Sequence, residues 1–158
     1  MDATPSHSHF SIAERQRWMA TLAHSQPDDL NPLWDALHLN ALEWKNIRPA
    51  ETGLTQIQAH TGGSGQRFFL GDATLTRAVI QLSSGTYGYS YQLGRDKSHA
   101  ERCALIDALL QEREHNMTLL ENLINPLAAL QQERHQQRAQ EIAASRVDFF
   151  TLVRGDNS

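Results

Sequence analysis

Tyr87, Tyr89, Tyr91 and Leu93 alternate with Gly88, Ser90 and Gln92, a period of two that predicts a strand with one large and one small face. Large residues at alternate strand positions are expected to be the core face of a sheet, with a stacking platform or partner surface as the other reading. Upstream, Glu43–Arg48, Leu54–His60, Arg67–Leu70 and Ala73–Leu82 read as further strands, separated by turn chemistry at Pro49–Gly53, Thr61–Gly65 and Ser83–Thr86. Connections this short favour an antiparallel meander of about four strands, because parallel pairs need long crossovers.

Helical spacing brackets the strands. Ser11 and Glu14 fit a capping box ahead of Trp18, Met19, Leu22 and Ala23. Leu30, Leu33, Trp34 and Leu37 make a second helix after Pro27-Asp28-Asp29, with Pro32 expected in its first turn or just after an Asn31 cap. Ser98 to Glu101 fits a second capping box, followed by a stripe of Cys103, Ile106, Leu110, Met117, Leu120 and Ile124. Asn125-Pro126 should end or kink that helix. Leu127, Leu130, Arg134, Arg138 and Ile142 then continue the period, yet Gln131–Glu141 is almost wholly polar, so this helix is either solvated or set against a partner. The fold class expected is α+β: an antiparallel sheet of about four strands with two N-terminal helices and long C-terminal helices packed on it.

Composition narrows the function classes. The 158 residues carry 14 Lys+Arg and 18 Asp+Glu for a net charge of −4, with 40% hydrophobic residues and one Cys. A single domain over residues 11–158 is expected, behind a flexible tail at 1–10 and with a partner-docking segment at about 127–158. One Cys excludes an intramolecular disulfide and any CxxC motif, which fits a reducing cytosol. The N-terminus lacks a basic patch followed by an apolar core, and no apolar run has the length of a membrane span. Charge is spread evenly, so nucleic acid is not an expected partner. The expectation is a soluble, cytoplasmic protein. Arg supplies 12 of the 14 basic groups; its planar fork suits carboxylates and phosphates, although genome composition enriches Arg as well.

The candidate chemistry is sparse. Thr61–Gly65 is glycine-rich, but a phosphate loop needs a following helix, and Gln66-Arg67-Phe68-Phe69 looks like a strand, so a hairpin connection is the better reading. His99 and Cys103, spaced i and i+4, share a helix face that could begin a zinc site, yet no third and fourth ligands accompany them, and core roles fit both better. Gly94-Arg95-Asp96-Lys97 lies at a strand-to-helix junction, a frequent anion site that a cap plus solvated charges explains almost as well. Phe149, Phe150, Leu152 and Val153, among Arg146, Asp148, Arg154 and Asp156, have the composition of an interface, and we expect Arg146, Phe149, Phe150, Leu152 and Arg154 to dock on another subunit. No Ser/His/Asp motif, paired-carboxylate helix, dinucleotide fingerprint or cluster-binding cysteine set is present, so no catalytic, cofactor-binding or metal residue is assigned.

Several strings resemble the PhnG family of the bacterial carbon–phosphorus lyase system: His24-Ser25-Gln26-Pro27, Ala50-Glu51-Thr52-Gly53-Leu54, Arg67-Phe68-Phe69 with Gly71-Asp72-Ala73-Thr74-Leu75-Thr76-Arg77, Gly94-Arg95-Asp96-Lys97, the run from His99 to Ala108, and Ala144–Phe150 continuing through Val153–Asn157. They occur in order from about Ala13 onward. The resemblance implies a non-catalytic but required subunit of a two-fold symmetric core complex with PhnH-, PhnI- and PhnJ-type chains. That complex exchanges the adenine of ATP for an alkylphosphonate, giving ribose 1-methylphosphonate 5-triphosphate during phosphonate catabolism. It further implies that nucleosidase chemistry sits on the PhnI-type chain, and that S-adenosylmethionine and an iron–sulfur cluster belong to the PhnJ-type chain. In an alternative reading Arg95, Lys97 and His99 contact substrate phosphate or phosphonate in a shared active site.

Overall fold

A computed structural model describes residues 9–39, 42–60 and 65–154, with residues 146–154 as backbone alone. The flexible tail expected at 1–10 therefore falls almost wholly outside the described residues. The order is α1 (Ile12–Ala23), α2 (Pro27–Asp35), β1 (Trp44–His60), β2 (Arg67–Leu82), β3 (Tyr87–Leu93), α3 (Lys97–Leu110), α4 (Arg113–Leu119), a π-helical turn (Leu120–Ile124) and α5 (Asn125–Arg154). The α+β class stands. The sheet has three antiparallel strands in the order β1-β2-β3 rather than about four.

The difference arises where turn chemistry met a strand edge. Pro49 does not turn the chain: Arg48 pairs with Val79 and Glu51 with Arg77, so Pro49 and Ala50 together face Ala78 in a bulge. An edge strand tolerates proline there, because the missing N–H is not needed by the ladder. A further irregularity, between Ile57 opposite Gly71 and Gln58 opposite Phe69, leaves Leu70 as the extra residue on β2. Four short strand candidates thus merge into two long, bent strands.

The sheet is also faced opposite to expectation. Gly88, Ser90 and Gln92 are buried, whereas Tyr87, Tyr89, Tyr91 and Leu93 are exposed. The cause is the closeness of α3. A Cβ on Gly88 would lie 1.9 Å from the Ala104 carbonyl oxygen and 2.8 Å from the Ala108 Cβ. Only the small face of β3 fits against the Ala100, Ala104 and Ala108 stripe of that helix, and the tyrosines must point away.

Beneath the sheet, Trp18 and Leu22 of α1, Leu30 and Trp34 of α2, Ile80 of β2, Ile106, Leu109 and Leu110 of α3 and Leu119, Leu123 and Leu127 further on form one apolar core. The Ser11/Glu14 capping box forms in full. The cap of α3 is Asp96 rather than Ser98, its Oδ1 accepting the His99 N–H at 2.9 Å. In α2, Pro27 takes the first position and Pro32 lies inside the helix, later than expected. The long stripe from Cys103 to Ile124 is broken after Leu110, and Pro126 is accommodated by the π-helical turn immediately before it.

Candidate interaction surface and buried polar centres

Asp107 is the one acidic side chain of α3 that is fully buried, and it gathers donors from three other places. Arg15 Nη2 donates at 2.9 Å, Trp18 Nε1 at 2.8 Å and the Tyr89 backbone N–H at 3.0 Å, with Gln111 Nε2 at 3.3 Å. One carboxylate therefore ties α1, α3 and the outer edge of β3 together. Gln111, the C-cap of α3, also donates to the Tyr87 carbonyl at 2.7 Å, so side chains of α3 and its cap occupy backbone groups that an edge strand would otherwise present. Sequence reasoning passed over Asp107, although a lone carboxylate within Cys103–Leu110 was its signal.

A second centre joins α3 to the loop after α1. His99 Nε2 donates to the Ser25 carbonyl at 3.1 Å and lies 3.2 Å from the Ser25 Oγ, which itself donates to the Leu22 carbonyl at 2.5 Å. Cys103 Sγ sits 3.7 Å from both Nε2 and Ser25 Oγ, and Gln92 Nε2 donates to the same Leu22 carbonyl at 2.9 Å. His99 Nδ1 is buried with no hydrogen-bond partner among the described residues. Burial holds the imidazole below its ordinary pKa, against the opposing pull of the Ser25 carbonyl, so the neutral ring belongs here. Burial also pushes the Cys103 thiol up to about 12. A protonated thiol is a poor metal ligand or nucleophile, and no group of three or more His, Cys, Asp or Glu able to hold a metal occurs among the described residues.

The outer surface has the opposite character. A groove of about 340 Å³ runs over the exposed sheet face, lined by Arg48, Glu51, Arg77, Tyr87, Tyr89 and Tyr91. An adjoining hollow of about 360 Å³ shares Glu51, Arg77 and Tyr91 and reaches Leu54 and Leu75. Arg77 and Glu51 pair at 3.6 Å, both more than half exposed, and Arg15 lies 5.9 Å from the Tyr89 ring centre. Beyond the third strand, β1 and β2 continue as a two-stranded hairpin. Leu54 is 75%, Phe69 59% and Leu70 64% exposed there, joined by Ile57 and Phe68.

The residues singled out from sequence do not converge. The side chains of Arg95 and Lys97 are exposed and make no hydrogen bond or ion pair among the described residues, whereas His99 is buried against Ser25. The N-terminus of α3 is already occupied by the Asp96 carboxylate. Thr61–Ser64 lie outside the described residues. Arg146, Phe149, Phe150, Leu152 and Arg154 lie on α5, which is helical to Arg154, but their side chains are outside the described residues. No helix among the described residues is long and apolar enough to cross a membrane.

A polar interior paired at every described buried side-chain atom but His99 Nδ1, beneath an apolar, tyrosine-rich exterior, is the physical profile of a partner-binding α+β subunit. Residues 13–155 match the family model described as phosphonate metabolism protein PhnG, and the chain belongs to that family. It is 38% identical over 157 residues, 99% of each chain, to the alpha-D-ribose 1-methylphosphonate 5-triphosphate synthase subunit PhnG of Rhizobium meliloti (strain 1021).

Proposed function

We propose that this chain is a non-catalytic but required subunit of alpha-D-ribose 1-methylphosphonate 5-triphosphate synthase, supporting formation of that product from ATP and methylphosphonate in organic phosphonate catabolism. The near-full-length identity to a chain of that name supports the assignment. The observation that carries the architectural role is the apolar hairpin, whose Leu54, Phe69 and Leu70 face solvent where a partner would bury them. PhnH-, PhnI- and PhnJ-type chains are the proposed partners, in a two-fold symmetric particle in the cytoplasm. ATP, S-adenosylmethionine and the iron–sulfur cluster are assigned to those partners, since the lone buried Cys103 does not suit a cluster. The C-terminal segment with Arg146, Phe149, Phe150, Leu152 and Arg154 is a second docking element in this reading.

Co-expression with the three partner chains tests the role. Stoichiometric co-elution with wild-type chain, and loss of both particle and turnover when Phe69 and Leu70 are replaced by Ser, are expected. A full-sized, active particle from that variant refutes hairpin docking.

Arg95 and Lys97 favour a second reading, in which they contact a substrate phosphate or phosphonate, because both are exposed and uncommitted. His99 would join them only if the Ser25 contact opened. An Arg95→Ala, Lys97→Ala particle that assembles but does not turn over supports this reading, and undiminished turnover excludes it.

A further inference from the structure

The strand register sets out the floor of the tyrosine-lined groove in rungs. Arg48 pairs with Val79 and Val79 with Tyr89, while Glu51, Arg77 and Tyr91 share the next rung. Directly opposed strand residues point to one face, so each rung sets an arginine beside a tyrosine. The two arginines differ in their pairing. Arg77 has the Glu51 carboxylate at 3.6 Å on its own rung. The Arg48 guanidinium is exposed and makes no hydrogen bond or ion pair among the described residues. The hydroxyls of Tyr87, Tyr89 and Tyr91 make no hydrogen bond among those residues either.

We propose that a partner chain of different sequence covers this groove and sets an Asp or Glu carboxylate against Arg48. The proposal rests on the reading above that the chain acts by docking, and adds the chemistry of what docks. Tyr and Arg are the residue types concentrated where interfaces exclude water most fully. A guanidinium covered there without an anion loses its hydration uncompensated, and a carboxylate from the partner removes that cost. The planar fork of Arg48 suits such a group bidentately, and the unbonded tyrosine hydroxyls supply further donors. Backbone pairing is not the mode of contact at β3, because the Tyr89 N–H and the Tyr87 carbonyl are already taken by Asp107 and Gln111. Charge also argues against a second copy. Two grooves set face to face would hold four arginines against two carboxylates, since each offers Arg48 and Arg77 against Glu51. Toward the Ser83–Gly85 turn, Lys45 and Glu43 offset each other.

The test uses the full chain co-expressed with its partner chains. Benzoylphenylalanine replaces Tyr89 in one sample and Tyr91 in another, and the particles are irradiated and digested. Cross-links to a partner-chain segment containing Asp or Glu are expected. Arg48→Glu should weaken association at least about tenfold while leaving the thermal midpoint of the isolated chain unmoved, because this side chain bonds nothing there. Changing the acid of the cross-linked segment to Arg should restore the particle. Cross-links only to a second copy or to an acid-free segment, undiminished association of Arg48→Glu, or a loss that no acid-to-Arg change restores overturns the pairing. Its failure is separable from that of the docking reading. If Phe69→Ser with Leu70→Ser loses the particle while Arg48→Glu keeps it, the pairing is wrong and hairpin docking stands; if both variants assemble as the native chain does, both fall.

Discussion

The helical body and the β1–β2 hairpin solve the same physical problem in opposite ways. In the body, polar side chains have gone inside and found partners: Asp107 has four donors, and Ser25, Gln92 and His99 share the carbonyls of Leu22 and Ser25. In the hairpin, apolar side chains have stayed outside, with Leu54, Phe69 and Leu70 mostly in water. A buried polar group without a partner costs about 1–3 kcal/mol, so the body is sealed by specific pairs. The hairpin has no such pairs to lose, and a two-stranded ribbon is marginal by itself. Stability is concentrated in one region, and the docking role proposed above falls to the other.

Substitutions can break this contrast, and the largest effect belongs to the body. Asp107→Ala strips the partner from Arg15, Trp18 and the Tyr89 N–H at once and should cost about 3–5 kcal/mol, read as a lower midpoint in urea. Gly88→Ala comes next: its Cβ has no room beside the Ala104 carbonyl, so β3 must lift from α3 at a cost of about 1–3 kcal/mol. The His99 centre should show itself through pH. Burial depresses the folded-state pKa of His99, so the unfolded chain binds the extra proton first. The contribution of the neutral ring is complete above about 6.5 and is lost as pH falls below that value toward the lower folded pKa. Thermal midpoints should therefore drop between pH 7 and 5 by more in the native chain than in His99→Gln. The smallest stability effect is expected in the hairpin, where Phe69→Ser with Leu70→Ser should shift unfolding by no more than about 0.5 kcal/mol per site while abolishing assembly.

Much of the body was legible in sequence because its signals are local. The Ser11/Glu14 box, the Trp18/Leu22 and Leu30/Trp34 stripes and the α3 apolar run needed only helical spacing. The period of two located β3 correctly, but periodicity cannot say which face is covered. That depended on Gly88 meeting Ala104, a contact between distant positions, and it inverted the expected role of the tyrosines. The lesson lies in pairing two small-residue patterns, Gly88 and Ser90 with Ala100, Ala104 and Ala108. Pro49 read as turn chemistry because a bulge at a sheet edge uses the same residues as a turn. Of the candidate site, the family strings around Arg67–Arg77 and Gly94–Ala108 mix exposed positions such as Arg95 with buried ones such as His99 and Asp107. The exposed apolar hairpin itself was not foreseen, since exposure is a property of what does not pack.

The central claim is that the hairpin and the tyrosine face are interface waiting for a partner. Hydrogen–deuterium exchange on the full chain, alone and within the co-expressed synthase, addresses it directly. The account predicts that amides of residues 51–60 and 67–74 exchange fast in the isolated chain and become strongly protected in the particle, while α3, already sealed, changes little. Equal, fast exchange of the hairpin in both states would contradict it.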